Sequence, residues 1–125
     1  MKEVMAIIRM NKINQTKQAL ADAGITSMHA KECLGRGRGT VEMLSLGGDE
    51  KQYEEMANDL GTAGRLIPKR MISIVVPNKL VKTVVDTIIA GNKTGKIGDG
   101  KIFVMPVFES VRVRTGETGD DTLDQ

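Results

Sequence analysis

Two clusters in this sequence carry the residue types that hold a polyphosphate. The first is Thr94-Gly95-Lys96-Ile97-Gly98-Asp99-Gly100-Lys101, with three glycines and two lysines between an apolar helical run and the apolar run Ile102 to Val107. Glycines at that density let backbone N–H groups crowd toward an anion, because no Cβ blocks positive φ or close approach. The second is Val111-Arg112-Val113-Arg114-Thr115-Gly116. Arg112 and Arg114 are two apart, so on an extended strand they point the same way. The first cluster is not a Walker loop, since Lys101 is followed by Ile102 rather than Ser or Thr. Nor is it a dinucleotide fingerprint, because its glycines precede a strand instead of opening a helix.

The elements around these clusters follow from periodicity. Val4 to Met10 is apolar except for Arg9 and has the length of a buried strand. Asn11 is the expected cap of a helix through Lys12 to Ala23, with Gly24 as its C′ residue. Ile25 to Leu34 reads as a second strand and Met71 to Val76 as a third, ended by Pro77. Asn78 is the expected cap of a second helix, Lys79 to about Ala90, which Gly91 closes. A fourth strand covers Lys101 to Phe108, with Pro106 placing it at an edge or bend. Val111 to Val113 reads as a short final strand.

Between the second and third strands the pattern breaks down. Gly35-Arg36-Gly37-Arg38-Gly39-Thr40 is a basic glycine loop, Val41 to Leu46 reads as a brief strand, and Asp49 to Leu60 reads as a helix with Tyr53, Met56, Ala57 and Leu60 on one side. An irregular insertion of this length is usually functional or disordered.

The two halves of the chain echo each other. Asn11-Lys12-Ile13 followed by Thr16 recurs as Asn78-Lys79-Leu80 followed by Thr83, an offset of 78 − 11 = 67 residues that also matches Gly24 to Gly91. Each half is strand–helix–strand, which gives an α+β, ferredoxin-like βαββαβ sandwich with both helices on one sheet face. The other face needs a cover that so short a chain does not provide, and self-association supplies it.

Composition narrows the function classes. At 125 residues with 40% apolar and 27% charged, this is one soluble domain able to bury a core without staples. Phe103, Phe108 and Tyr53 are its only aromatics, too few for a base-stacking platform. A net charge of +2 does not call for nucleic acid or a membrane. Eight methionines are expected as core filler, and Cys33, the lone cysteine, as a small buried hydrophobe. The opening Met1-Lys2-Glu3-Val4 has no signal-peptide core, so the expected location is cytoplasmic.

With these residues in view, the chain resembles the PII nitrogen-signalling proteins from Met1 to Gly116. The resemblance rests on Ala6-Ile7-Ile8-Arg9, Ala19-Leu20-Ala21, Gly24-Ile25-Thr26, Gly35-x-Gly-Arg38, Ile74-Val75-Val76-Pro77, the stretch Thr94 to Val104, and Arg112-x-Arg-Thr-Gly-Glu117. Leu34 to Gly39, the enlarged central loop and Leu66-Ile67-Pro68-Lys69-Arg70 are similar to the nitrogenase-regulating branch, in particular the longer of the paired paralogues of methanogenic archaea.

The resemblance implies one domain over residues 1–116, a homotrimer with nucleotide sites between subunits, and a partner-contacting T-loop over about 36–67. It leaves residues 117–125 as an acidic, mobile tail. It implies that Gly98, Asp99, Gly100 and Lys101 meet the phosphates of ATP or ADP, with Mg2+ carried on those phosphates and no protein metal site. Arg112 and Arg114 reach them across the cleft. Gly35, Gly37 and Arg38 lie at the loop base, and Ile7, Met28, His29 and Val75 surround the adenine. Arg36, Tyr53, Met56 and Leu60 belong to the partner-binding loop.

Two departures bear on regulation. Gly39 replaces the glutamine that helps hold Mg2+ and 2-oxoglutarate in this family, whereas Lys69, which meets the 2-oxoglutarate carboxylate, is kept. No residue aligns with the uridylylated tyrosine. The implied partners are the sister PII paralogue and a nitrogenase component, with no nucleic acid and no membrane. The implied role is a non-enzymatic sensor with no catalytic residues. A small phosphoryl- or nucleotidyl-transfer enzyme is the alternative, weakened because His29 is the sole histidine and no paired carboxylates stand out. An Arg-Gly nucleic-acid module around Gly35 to Gly39 is the other.

Overall fold

A computed structural model describes residues 1–37 and 66–125 of the chain. The elements implied for Val41 to Leu46 and Asp49 to Leu60 lie outside the described residues, as do Arg38, Gly39, Tyr53, Met56 and Leu60. Strand β1 (Lys2–Arg9) leads through a 3-10 turn at Met10–Lys12 into helix α1 (Ile13–Asp22). Strand β2 (His29–Gly35) follows. The second half repeats the plan, with β3 (Ile67–Val76), a 3-10 turn at Asn78–Leu80, α2 (Val81–Asn92) and β4 (Lys101–Pro106). Among the described residues the strands form one sheet in the order β2-β3-β1-β4, every pair antiparallel. This is the ferredoxin-like order expected from the repeat, with β1 and β3 central and Pro106 on an edge strand.

Alternation along the two central strands sorts the faces. Val4, Ala6 and Ile8 of β1 and Ile72, Ile74 and Val76 of β3 are buried beneath the helices. Leu20 and Ile25 meet them from α1 and its exit, Val84 and Ile88 from α2. At about 25 cal/mol per Å2, burial of these aliphatic side chains is the main stabilising term of the chain. A buried polar link joins the helices: Asn92 Nδ2 donates to Thr16 Oγ1 at 2.9 Å, and Thr16 Oγ1 donates to the Lys12 carbonyl at 2.7 Å. The opposite face carries Met5, Ile7, Met71 and Met105, all only half-buried, with Ser73 Oγ donating to Glu3 at 2.5 Å. Among the described residues the buried core is built from Val, Ile, Leu and Ala, and Met28 is the methionine that packs against it. Cys33 is likewise half-buried, on the edge strand β2.

Several local expectations change. Neither Asn11 nor Asn78 caps a helix; each lies in a 3-10 turn, and the N-cap positions are Lys12 and Leu80, with no side-chain cap bond. The turn supplies the entry geometry that a capping side chain would otherwise supply. Gly24 does end α1 with φ +86°, but Gly91 lies inside α2, which runs on to Asn92. Val111 to Val113 is not a strand: Val111 makes a single bridge to Thr118, and residues 113–115 are a turn.

Candidate functional site

The glycine-rich segment leaves α2 through Lys93, whose φ of −70° and ψ of 119° end the helix. It then turns on Gly95, Gly98 and Gly100, at φ of +80°, +98° and +114°. One carboxylate fixes this path. Asp99 accepts from the Thr94 hydroxyl, from the Thr94 amide at 2.9 Å, from the Gly95 amide at 3.1 Å and from Arg9 Nη1 at 2.6 Å. Arg9 also donates through Nη2 to the Ile97 carbonyl at 2.9 Å. The Thr94 hydroxyl first, then Arg9 and the loop amides, hold the Asp99 carboxyl far below the ordinary carboxylate range, so it stays ionised.

The loop is pressed onto the end of β1. A Cβ on Gly100 would stand 2.0 Å from the Ile7 carbonyl oxygen, and one on Gly98 would stand 3.3 Å from Arg9 Nη2. Only glycine fits at position 100, on both conformation and space.

Beside the loop is a groove of about 330 Å3, lined by Ile7, Gly35, Arg36, Gly37, Lys69, Ile97, Gly98, Gly100, Lys101 and Phe103. Among the described residues its charged lining is cationic: Arg36, Lys69 and Lys101. Lys69 Nζ reaches the Gly98 carbonyl at 3.4 Å, a long contact that leaves hydrogens for a ligand. Burial first, and then the Arg9 charge, lower the Lys69 pKa from its ordinary value, against a smaller opposing effect of Cys33. Glycine amides beside several cations suit an anion with several oxygens. No group of three or more His, Cys, Asp or Glu side chains among the described residues could hold a metal.

The sequence-predicted residues fall in two places. Ile7, Gly35, Gly37, Gly98, Gly100, Lys101 and Lys69 line the groove, and Arg36, read as part of the partner-binding loop, lines it with them. Asp99 is next to it, yet its carboxylate is occupied by the loop's own donors. Met28, His29 and Val75 lie toward the other end of the sheet, where His29 pairs with Ser73 and Val75 with Glu3. Lys69 and Val75 are six residues apart on β3, about 20 Å at ~3.3 Å per residue.

Arg112 is at that far end too, bonded to Glu117 at 3.1 Å and to Asp124 at 3.3 Å. The turn at 113–115 replaces the strand geometry from which a common direction for Arg112 and Arg114 was read. Within one chain these two groups of residues therefore stay apart. The sequence reading missed Arg9 and Thr94 as the residues that shape the loop. A lone charge in an otherwise apolar strand was the signal for Arg9.

The chain matches the family model "Nitrogen regulatory protein P-II" over residues 1–117. It is 48% identical over 125 residues to the nitrogen fixation nifHD region GlnB-like protein 2 of Methanobacterium ivanovii, covering 98% of this chain and 99% of that one. It is 42% identical over 123 residues to nitrogen regulatory protein P-II 1 of Escherichia coli strain K12, covering 98% and 100%. Among solved structures, Arabidopsis thaliana PII bound to citrate superposes with a TM-score of 0.70 at 33% identity, covering 96% of this chain and 86% of that one.

Three outcomes follow for the loop and the helix that leads into it. Gly100→Ala should destabilise the protein by about 2 kcal/mol or more, because strain and overlap with Ile7 coincide. Gly91→Ala, whose Cβ meets nothing nearer than Thr16 Oγ1 at 3.9 Å, should stabilise by up to about 1 kcal/mol. Urea unfolding of both variants measures the contrast in sign. The Asp99 pKa is lowered on folding, so its contribution is present above the ordinary carboxylate pKa and lost as pH falls below about 4. Asp99→Asn should thus lower Tm at pH 7 and flatten its decline between pH 5 and pH 3, as read by thermal scans.

Proposed function

The chain belongs to the nitrogen regulatory protein P-II family, and from that premise we propose that it is a non-enzymatic adenine-nucleotide sensor acting on nitrogenase. P-II proteins are signal transducers of nitrogen metabolism. In this proposal copies assemble into a homotrimer, ATP or ADP binds at each junction, and occupancy sets the conformation of the loop over about 36–67. The supporting observation is the cationic, glycine-floored groove at one end of the sheet, with Arg112 of the same chain held at the other end through Asp124, which bonds Thr26. A head-to-tail ring brings the groove of one copy to the arginines of the next. Phe108 at 96% exposure and Val113 at 100% are apolar surface that such contacts would cover.

Residue roles follow from the chemistry. Lys101 and Arg36 neutralise phosphate oxygens, with N–H groups of Gly98 and Gly100 donating alongside them and the Lys69 charge nearby. Arg112 and Arg114 of a neighbouring copy complete the set, and their planar forks suit phosphate better than lysine would. Mg2+ rides on the phosphates. Asp99 acts as the loop's pin rather than as a ligand contact. Met28, His29 and Val75 face the base. Arg38 is the hinge: bound to phosphate, it draws the loop toward one conformation.

A 2-oxoglutarate site rests on Lys69, and the citrate-bound Arabidopsis relative supports a small polycarboxylate as the effector class. The nifHD-region name of the Methanobacterium relative supports a nitrogenase component as target, with a sister paralogue as companion in the complex. The described residues contain no helix long and apolar enough to cross a membrane, and a cytoplasmic site of action fits this role.

Calorimetric titration with MgATP tests the reading. Losing one charge-assisted bond of about 1.5–3 kcal/mol, Lys101→Ala should bind roughly ten- to a hundredfold more weakly than the native chain. The phosphate charge should also restore the lowered Lys69 pKa, so binding takes up protons at alkaline pH, below the ordinary lysine value. Titrations near pH 9 in buffers of different ionisation enthalpy read that uptake directly. Lack of MgATP binding by the native chain would overturn the proposal.

A further inference from the structure

Residues 118–125 lie beyond the span matched by the family model, and the structure gives them specific bonds. Gly119 donates to the Ser110 carbonyl at 3.0 Å and to Glu109 at 3.1 Å, and a 3-10 turn follows at Asp120–Thr122. Thr122 Oγ1 bonds Ser110 Oγ at 2.6 Å. Where mobility is expected of an acidic tail, these bonds aim the last two residues at the distal half-site.

Gln125 is placed there through its carboxamide. Its Oε1 accepts from the Thr26 amide at 3.1 Å and the Ser27 amide at 3.2 Å. Its Nε2 donates to the Ser27 carbonyl at 2.8 Å and the Val75 carbonyl at 3.5 Å. One planar group thus presents an acceptor beside a two-hydrogen donor to main-chain atoms next to Met28 and Val75. The edge of adenine presents the same pair, a ring nitrogen beside an exocyclic amine. Meanwhile the Asp124 carboxylate holds Arg112 at 3.3 Å, and its carbonyl accepts from Thr26 Oγ1 at 3.1 Å. An anion lies on the arginine, and an amide lies where the base would go.

We infer that the segment ending in Asp124 and Gln125 is an internal stand-in for the nucleotide, and that ATP must displace it from the Arg112 half-site to bind. This rests on the nucleotide reading above. The consequence is a lowered apparent affinity, because only copies with the tail released are competent, and the measured Kd rises by the inverse of that fraction. It also gives nucleotide binding a second output, since each occupied junction frees an acidic segment. The segment is then exposed only in the bound state.

The test compares the full chain with an Asp124→Ala/Gln125→Ala variant by titration with MgATP. Neither residue belongs to the proposed nucleotide contacts, so the variant should bind roughly three- to thirtyfold more tightly. A second reading on the native chain follows the Gln125 side-chain amide by NMR, which should move to its free position as MgATP saturates. Equal affinities, or a Gln125 amide that stays in place at saturation, overturn the competition and leave nucleotide binding standing. Failure of both proteins to bind MgATP removes the nucleotide reading and the competition together.

Discussion

The candidate site depends on the ion pair between Arg9 and Asp99. Three glycines in one short segment give up more backbone entropy on ordering than any other residues would, and nothing in their own chemistry selects one path. The Asp99 carboxylate selects it, by gathering a hydroxyl, two amides and a guanidinium from both sides of the turn. Arg9 ties that turn to the end of a central strand whose alternate residues Val4, Ala6 and Ile8 are locked in the core. Gly100 then lies against the Ile7 carbonyl, and the groove acquires a floor. The rigidity of the sheet is transmitted through one charge pair to a loop that would otherwise wander.

Electrostatics divides the labour between two kinds of cation. Arg9 is neutralised inside the chain and serves structure. Lys69 and Lys101 face the groove, and Lys69 is held there at a cost that shows in its lowered pKa. Partly desolvated positive charge of this kind is what the proposed anion site draws on. At the far end Arg112 is already matched by Glu117 and Asp124, so the two ends of the chain stand in different states of neutralisation. In the proposed ring of copies, that asymmetry would supply both an anchor for the nucleotide and a competitor for it.

Much of the fold was legible because the physics is local and periodic. The alternation in β1 and β3, the helical spacing of Leu20, Val84 and Ile88, and the 67-residue echo together dictate the sheet order that the structure displays. What was not legible depended on partners distant in sequence. Asn11 and Asn78 have capping chemistry, yet the chain enters each helix through a 3-10 turn. Gly91 looks like a terminator, but α2 carries it one residue further to bury Asn92 against Thr16. Asp99 sits in a phosphate-binding pattern, and only the approach of Arg9, ninety residues away, reveals that its carboxylate is occupied. The tail reads as solvated acid until Gln125 is seen bonded to Thr26, Ser27 and Val75.

The central claim is that a nucleotide site is completed by a second copy of the chain. Complementation measures this directly: Lys101→Ala and Arg112→Ala chains, each defective in MgATP binding, are unfolded together, co-refolded at equal amounts and titrated as the mixture. Random assembly leaves about one junction in four with both halves native. The account predicts that this fraction recovers native-like affinity while each variant alone stays weak. A mixture that binds no better than the average of its parts would place the whole site within one chain and contradict the account.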